Sequence, residues 1–234
     1  IDTVAVDLET YDPDLKNQGS GAIRGKGFVC GIAIATGKQT LYFPLKHAHT
    51  DCIPRAKAWK YLNEKLFQNK KIKKVFHNAM YDVCWIRKES GLMPQGPLLD
   101  TMIAASVIDE NRMRYSLGAL SKDYLSGQDK YKWGLTEKTL TYSRGTIKDP
   151  MTNMDKLDYP TVKEYAEQDV NLTLRLWKLF EEKIDQEEKV EVGTDNEKIK
   201  TLKSIFDLET ELFPCLVDMR FKGVRIDVDA AKKL

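Results

Sequence analysis

The segment Val4-Ala-Val-Asp-Leu-Glu9 decides how this chain folds. Its apolar residues favour a strand that is buried on both faces, and two acids follow at its end. Successive side chains of a strand point to opposite faces, so Asp7 and Glu9 share one face. Two carboxylates on a buried strand repel each other unless a cation lies between them. The alternative is a strand end at which both acids reach solvent, and a lone Asp-x-Glu pattern does not exclude it.

The residues downstream predict a mixed β-sheet with helices packed on its faces. The short connection Thr36-Gly-Lys38 implies an antiparallel hairpin between the second and third strands. Residues 12–27 and 126–160 show no clear pattern, and the acidic stretch 185–198 suggests a boundary. We predict further strands at about 28–35, 40–44, 74–77 and 97–99, and helices at about 54–68, 78–88, 100–109, 116–125, 161–188 and 198–222.

Composition excludes several classes of protein. The chain has 234 residues, a formal net charge of +2 and 42% hydrophobic residues, enough for one large domain or a domain with a fragment of another. No apolar run approaches the ~18 residues that span a bilayer. The four cysteines lack metal-site spacing, so we expect reduced thiols in a cytoplasmic protein, bacterial or in a phage-infected host. The chain begins inside a strand pattern without a leader, so we expect that an upstream piece is missing.

Two features of the sequence bear on phosphate binding. The glycine-rich loop before Phe28 fails the P-loop pattern, because Ser20 stands where the first glycine belongs and Gly27 where Ser or Thr belongs. It also fails the dinucleotide fingerprint, because Arg24 replaces a glycine and a strand follows the loop. Residues 55–90 contain ten Lys or Arg and three acids, so this basic segment either tracks a phosphate backbone or is an ordinary solvated face.

Two further constellations add acids at helical spacing. In His77-Asn-Ala-Met-Tyr-Asp82, Asn78 and Asp82 are four residues apart on one helix face. In Tyr165-Ala-Glu-Gln-Asp169, a tyrosine and an acid repeat that spacing on a strongly apolar helix. Considered one at a time, these residues have ordinary structural interpretations: Asn78 would be an N-cap, Tyr165 a core aromatic residue, and the acids solvated residues of a helix. Their order along the chain together with Asp7 and Glu9 is much harder to obtain by chance.

These three segments resemble the motifs of the DEDD 3′–5′ exonucleases, in the subgroup that carries tyrosine in the third motif. Leu99-Asp-Thr-Met102 and Tyr115-Ser-Leu-Gly-Ala-Leu120 resemble the proofreading domain of family A (DNA polymerase I-like) DNA polymerases. The segments Leu208-Glu-Thr-Glu-Leu-Phe-Pro214 and Gly223-Val-Arg-Ile-Asp227 resemble the opening of that family's polymerase domain. The resemblance implies a ribonuclease H-like fold, with an exonuclease domain over 1–190 and a linker and truncated helical polymerase stub over 191–234.

The resemblance also implies roles for individual residues. Two divalent cations, Mg²⁺ or Mn²⁺, would be held by Asp7, Glu9, Asp82 and Asp169, with Asp7 bridging both. Tyr165 would orient the attacking water, and Thr10 and Asn78 would bind the substrate. A related subgroup uses a catalytic histidine five residues before its last aspartate, but Asp82 belongs to the middle motif, so His77 is interpreted as structural.

The implied activity is removal of nucleotides from single-stranded or frayed DNA 3′ ends, as proofreading for a polymerase domain in the same parent chain and without a membrane. A ribonuclease D-like enzyme that trims RNA has the same motifs, although the polymerase-like tail disfavours it. A catalytically silent exonuclease fold that serves as a binding module is a third interpretation, which the intact acids and tyrosine disfavour.

Overall fold

This computed structural model describes residues 2–125, 139–186 and 201–233. Its centre is a five-stranded sheet in the order β3-β2-β1-β4-β5. The first three strands along the chain pair antiparallel, and β4 and β5 extend the sheet parallel to β1. The predicted mixed sheet is therefore confirmed. The strands are β1 (Thr3–Tyr11), β2 (Phe28–Ala35), β3 (Thr40–Pro44), β4 (Lys73–Phe76) and β5 (Leu98–Asp100).

The helices begin and end within a few residues of the predicted positions. Asp158 starts the long helix by accepting a hydrogen bond from the Thr161 N–H at 3.3 Å, as an N-cap residue does. Among the described residues, no helix combines the length and the apolar character needed to cross a bilayer. The helices are α1 (Leu15–Gln18), α2 (Gly21–Arg24), α3 (Arg55–Leu62, continued by a π-helical turn at Asn63–Phe67), α4 (Ala79–Ser90), α5 (Thr101–Ile108), α6 (Leu117–Tyr124), α7 (Tyr159–Asp185), α8 (Leu202–Lys222) and α9 (Val228–Ala231).

The two faces of the sheet carry separate cores. Helices α3 and α4 cover one face, and α5, α6 and α7 cover the other. Because strand side chains alternate, Val4, Val6 and Leu8 face α4, whereas Ala5 lies in the core beneath α7. Asp7 and Glu9 continue the row of Ala5, so both acids point towards α7.

The two segments left unassigned from the sequence contain regular structure. Residues 12–27 hold the single-turn helices α1 and α2 instead of an irregular turn. Residues 139–148 form the antiparallel hairpin of β6 (Thr139–Tyr142) and β7 (Gly145–Lys148), whose turn places Gly145 at φ +122°. Short 3-10 turns follow at Pro150–Thr152 and Met154–Lys156. These elements are too short for periodicity to reveal them.

The tail helix α8 lies against the body of the domain. Phe206 packs on Trp177 of α7, with ring centroids 5.6 Å apart, and Phe213 and Val217 are buried in the core beside α4. Leu208 and Leu212 on the other side of α8 are exposed. One side of the helix in the predicted stub therefore packs against the domain, and the other side is exposed. The predicted boundary near residue 190 and the start of the helix at 198 lie outside the described residues.

The cysteines agree with the expectation of reduced thiols. Cys30, Cys52, Cys84 and Cys215 all lie in described ranges, and all four are free. Cys30 and Cys84 are buried, and Cys215 is exposed on α8.

Candidate active site

Strand β1 supplies the first two acids of the site. Glu9 is 4% exposed and Asp7 is half-buried. The pairing of β1 with β2 shifts between Glu9 and Thr10, a bulge of the kind that re-aims side chains next to active sites. The sequence correctly predicts that both carboxylates leave the same face of a buried strand.

Asp82 joins these acids because β4 is shorter than β1. The parallel pairing of β1 with β4 reaches only to Ala5, so the edge of β1 beyond Ala5 is open to another partner. The Leu8 N–H donates across this edge to Asp82 Oδ1 at 3.3 Å. Asp82 lies in the first turn of α4 and is 3% exposed. This hydrogen bond holds its carboxylate beside the main chain that links Asp7 to Glu9.

Helix α7 supplies the remaining pair. Asp169 is 7% exposed, and Tyr165 is half-buried one turn earlier. The helix lies on the sheet through an apolar stripe, which fixes its rotation and turns Asp169 towards the acids of β1. The residues of this stripe are Val162, Ala166, Val170, Leu174 and Trp177.

Burial and the charges of neighbouring acids raise the pKa values of Asp7, Glu9 and Asp82. Burial, followed by the charge of Asp169, raises the pKa of Asp7 from 3.8 to about 7. Burial and then the charges of Asp7, Asp169 and Asp82 hold the pKa of Glu9 well above its usual value. Burial and then Asp7 raise the pKa of Asp82 in the same way. Like charges that crowd a desolvated site favour protonation unless a cation compensates them.

The donor set fits a hard divalent cation. Glu9 Oε1 is buried and has no hydrogen-bond partner among the described residues, so one carboxylate oxygen is available as a ligand. Mg²⁺ and Mn²⁺ prefer oxygen ligands, and all four acids offer them. In the described ranges, no three acidic, histidine or cysteine side chains already form a ligand shell.

Thr10 contacts neighbouring residues through its hydroxyl. Its Oγ1 lies 2.7 Å from the phenol oxygen of Tyr81. The Tyr81 hydroxyl donates its only hydrogen to Asp12 Oδ2 at 3.0 Å. Thr10 is therefore the donor in the hydrogen bond between Thr10 and Tyr81. Asp12 also accepts from the Gly21 N–H at 2.9 Å. This chain of hydrogen bonds ties β1 to α2 and α4, so the Thr10 hydroxyl is already engaged within the protein.

Asn78 and His77 are held by residues at the end of β5. Asn78 is the N-cap residue of α4, as the alternative interpretation held, but its backbone is left-handed (φ +66°) and its exposed side chain makes no capping bond. Asp100 accepts from the Asn78 and Ala79 N–H groups at 3.0 and 2.7 Å. His77 Nδ1 lies 2.9 Å from Thr101 Oγ1, and burial lowers the His77 pKa to about 4. A buried neutral histidine bound to a threonine fits the structural role expected from the sequence.

Asp100 is the supporting residue that the sequence analysis left without a role. Besides the two amides of α4, it accepts from the Met102 N–H at 2.8 Å. It therefore caps α4 and α5 together and fixes the turn that leads to Asp82. An acid directly before a helix predicts an N-cap for that helix. The sequence does not show that Asp100 also caps a second helix, α4.

Part of the basic segment 55–90 is engaged in internal contacts. Lys74 is fully buried, and its Nζ donates to the carbonyls of Asn69 and Gln95. Lys73 Nζ donates to Glu181 Oε1 at 2.6 Å. Arg55 forms an ion pair with Glu89. Lys74 therefore cannot contact a nucleic acid, and the ammonium group of Lys73 is already paired with Glu181.

This five-stranded mixed sheet with helices on both faces is a ribonuclease H-like fold, and it brings together four acids from β1, α4 and α7. Over residues 1–185 the sequence matches the family of 3′–5′ exonuclease domains found in family A DNA polymerases. The chain belongs to this family and is a 3′–5′ exonuclease domain. The resemblance inferred from the three motifs is thereby confirmed at the level of family, fold and class of enzyme.

The relatives in sequence are DNA polymerases that are longer than this chain, and the chain matches only a part of each. The chain is 29% identical over 236 residues to a DNA-directed DNA polymerase of Pseudomonas phage M6, covering 97% of the chain and 32% of the relative. It is 25% identical over 233 residues to DNA polymerase I of Borreliella burgdorferi, covering 99% of the chain and 21% of the relative. The chain thus spans at most about a third of the length of these two relatives.

Solved structures share the fold at low sequence identity. NrnC of Brucella melitensis with bound Mg²⁺ superposes with a TM-score of 0.62 and 17% identity, covering 95% of this chain and 87% of NrnC. RNase D of Escherichia coli superposes with a TM-score of 0.56 and 17% identity, covering 96% of this chain and 46% of RNase D. The likeness to these structures confirms the predicted ribonuclease H-like fold class.

Proposed function

We propose that this chain removes nucleotides from the 3′ ends of single-stranded or frayed DNA with the help of two divalent cations. We further propose that it proofreads for a polymerase domain in a longer parent chain, with residues 1–190 as exonuclease and 191–234 as linker and start of the polymerase part. In this proposal the parent protein works in the cytoplasm of a bacterium or of a phage-infected host.

The observation that carries the proposal is a group of four acids in which burial and then neighbouring acids, Asp169 among them, raise the pKa of Asp7, Glu9 and Asp82. Asp7 and Glu9 come from β1, Asp82 from α4 and Asp169 from α7, so three separate elements bring negative charge to one place. A fold gains no stability from crowding buried acids. Such crowding is typical of sites that bind a cation or perform chemistry.

Each acid and the tyrosine has a distinct part in the proposal. Asp7 would be a ligand of both ions, Glu9 and Asp169 would complete one ligand set, and Asp82 would support the second. Two bound ions supply an activated water and neutralise the charge on the leaving 3′ oxygen. The Tyr165 hydroxyl would orient the attacking water, since a phenol is a weak general base and a good hydrogen-bonding group. Asn78, exposed beside Asp82, and the main chain of Thr10 would contact the terminal nucleotide.

A basic surface beside the site suits a strand of phosphates. A cleft of about 590 Å³ is lined by Arg112 and Arg114 before α6 and by Lys122 in its last turn, and by one acid, Asp123, which pairs with Arg112. The intervening Tyr115 backbone approaches His77, which directly precedes Asn78. A second cleft of about 530 Å³ between β5, α7 and α8 is lined by four acids and two lysines, Lys73 and Lys203. The lysines already pair with Glu181, Asp185 and Asp207, so this net acidic lining does not favour DNA. We therefore assign the Arg112–Lys122 surface to the strand.

The decisive experiment follows a 5′-labelled single-stranded DNA oligonucleotide with Mg²⁺, with Mn²⁺ and with EDTA. We expect a ladder that shortens from the 3′ end with either metal and no cleavage in EDTA. Asp7→Asn, which preserves size and removes the charge, is the matched inactive control. EDTA-resistant cleavage that persists in Asp7→Asn would contradict the two-metal proposal.

The same assay separates the two alternatives. A matched RNA oligonucleotide of the same sequence tests the ribonuclease D-like activity, and faster degradation of RNA than of DNA would favour it. Absence of cleavage with Mn²⁺, together with retained binding of single-stranded DNA, would favour the silent binding module.

A further inference from the structure

Tyr42 on β3 lies in register with the acids of β1. Asp7 pairs with Ala33 on β2, and Ala33 pairs with Tyr42. Paired residues of a sheet share a face, so Tyr42 points to the same side as Asp7, towards α7. The tyrosine is 5% exposed and belongs to the core beneath that helix.

Gly31 gives the Tyr42 hydroxyl access to Glu9. A Cβ atom at Gly31 would lie 2.0 Å from the Tyr42 phenol oxygen, so this oxygen occupies the space of the missing side chain. Gly31 is the direct cross-strand partner of Glu9, and Cβ positions of such partners are about 4.5–5.5 Å apart. The phenol oxygen therefore lies alongside the Glu9 side chain. Burial and then the nearby charge of Glu9 hold the pKa of Tyr42 well above its usual value.

His47 continues the contact away from the sheet. Its Nε2 lies 2.6 Å from the Tyr42 hydroxyl, and its Nδ1 lies 3.2 Å from the Met154 carbonyl oxygen. A carbonyl can only accept, so Nδ1 carries the hydrogen. Burial lowers the pKa of His47 below 6.5, so the ring is neutral at pH 7 and Nε2 is an acceptor. The hydrogen bonds thus run in one direction, from Tyr42 to His47 to Met154.

Met154 belongs to the segment that leads into α7. Two more hydrogen bonds join the same parts of the chain: the Ala48 N–H donates to the Asp155 carbonyl at 2.7 Å, and the Tyr159 N–H donates to Thr50 Oγ1 at 3.1 Å. The loop after β3 therefore holds the beginning of α7. Tyr165 and Asp169 follow within three turns on that helix.

We propose that Tyr42 and His47 are a positioning pair that sets the distance between the two halves of the active site. One half consists of the acids on β1, beside which the Tyr42 hydroxyl lies. The other half consists of Tyr165 and Asp169, whose helix is tied to His47 through Met154. Neither Tyr42 nor His47 touches the reacting atoms. This inference rests on the proposed function, since it concerns the alignment of the same four acids.

The test combines three variants with one control. Tyr42→Phe removes the hydroxyl, and His47→Leu removes both hydrogen bonds of the ring. His47→Gln keeps one donor and one acceptor. Tyr61→Phe removes the hydroxyl of a tyrosine that is 58% exposed on α3. For each purified chain, kcat and KM on single-stranded DNA are measured, and bound Mn²⁺ is counted from the electron paramagnetic resonance signal of the free ion.

We expect Tyr42→Phe and His47→Leu to lower kcat by about 10–10²-fold, because small misplacements of catalytic groups have effects of this size. KM for DNA should stay within about twofold and Mn²⁺ binding should weaken, since the acids and not the DNA surface are displaced. His47→Gln should recover most of the activity, and Tyr61→Phe should match the unmodified chain. If His47→Leu fails to fold, Tyr42→Phe by itself tests the positioning pair.

Unchanged kcat and Mn²⁺ affinity in Tyr42→Phe would overturn the positioning pair. An equal loss of activity in His47→Gln and His47→Leu would also overturn it, because the hydrogen bonds would then be irrelevant. Failure of the unmodified chain to bind Mn²⁺ or to cleave DNA would instead contradict the proposed function, so the two failures are distinguishable.

Discussion

At the scale of single residues, the site is defined by acids that are costly to bury and by one tyrosine among them. The raised pKa values of Asp7, Glu9 and Asp82 share two causes, burial and neighbouring acids. Tyr165 differs in kind, because it adds a hydroxyl and no negative charge. Substitutions at the acids and at the tyrosine should therefore have separable effects on metal binding and on turnover.

Tyr165→Phe should lower kcat and leave metal binding intact. In the proposed site the change deletes the hydroxyl that would position the water and removes no carboxylate, so the expected loss is about 10–10³-fold. Steady-state kinetics and Mn²⁺ binding measure the two effects, with Asp169→Asn as the variant that should lose both. A silent Tyr165→Phe, together with a folded but inactive His77→Ala, would show that the tyrosine-subgroup assignment is wrong.

The metal-free chain should lose stability as the pH rises towards 7. Asp7 has a pKa of about 7 in the folded chain against 3.8 as the ordinary value, so the folded state binds more protons between these values. Stability therefore falls across that window and stays low above it. A divalent cation replaces the missing protons, so Mg²⁺ should raise Tm more at about pH 8 than at about pH 5.5.

Thermal unfolding in EDTA and in Mg²⁺ at both pH values measures this difference. Asp7→Asn serves as control, because it removes one titrating carboxylate and should reduce the pH dependence in EDTA. A stabilisation by Mg²⁺ that is the same at both pH values would contradict the explanation.

At the scale of elements, the site depends on where strands stop. Strand β4 ends at Phe76, which leaves the Leu8 amide for Asp82. Strand β5 ends at Asp100, whose carboxylate accepts from the amides of Asn78, Ala79 and Met102. Helix α4 is therefore held at its first turn by one acid from β5, and Asp82 is held in turn by β1.

Asp100→Ala should destabilise the fold and lower activity. It leaves buried N–H groups of two helices without their acceptor, which costs about 1–3 kcal/mol in free energy of unfolding. Urea denaturation measures the loss. Asp227→Ala is the matched control, because Asp227 caps α9 in the exposed tail and water can replace it, so its loss should stay below about 0.5 kcal/mol. Equal effects of the two substitutions would show that Asp100 has no special role.

Arg114 and Lys122 should account for part of the salt dependence of DNA binding. Both are exposed on the Arg112–Lys122 surface. Each lost phosphate contact should flatten the log–log salt slope by about 0.7 for single-stranded DNA. Fluorescence anisotropy of Arg114→Ala and Lys122→Ala tests this, with the exposed α3 residues Lys57 and Lys60 as alanine controls. An identical slope in all four variants would exclude this surface as the path of the strand.

At the scale of the whole molecule, the tail helix α8 joins the two cores of the sheet. Phe206 belongs to the core under α7, and Phe213 and Val217 belong to the core beside α4. Arg87 of α4 lies over the Phe221 ring, 4.4 Å from its centroid. None of the four acids is on α8. The packing of α8 therefore bears on the stability of the domain.

Ending the chain at about Glu197 should lower Tm by several degrees and leave exonuclease activity at low temperature. Single substitutions separate packing from length: Phe206→Ala should cost about 3 kcal/mol, whereas Leu208→Ala, at a residue 63% exposed, should cost less than about 0.5 kcal/mol. Calorimetry and the oligonucleotide assay measure both effects. Complete loss of nuclease activity in a shortened chain that is still folded would overturn the domain assignment.

The sequence by itself determined the strands and helices and the acids that they carry. Alternation in Val4–Glu9 places Asp7 and Glu9 on one face, and helical spacing places Tyr165 beside Asp169, because both periods are local properties of the backbone. The family and the class of enzyme followed from the order of these motifs. The short elements in 12–27 and 139–156 escaped prediction, because a few residues show no period.

Only the tertiary structure decided which residues meet. The engagement of Lys73 and Lys74 in internal contacts, the second helix capped by Asp100 and the approach of Tyr42 to Glu9 across Gly31 all join residues far apart in the chain. Such contacts depend on where β4 stops, on strand register and on the rotation of α7. These are set by packing of the whole core, and no local pattern of residues records them.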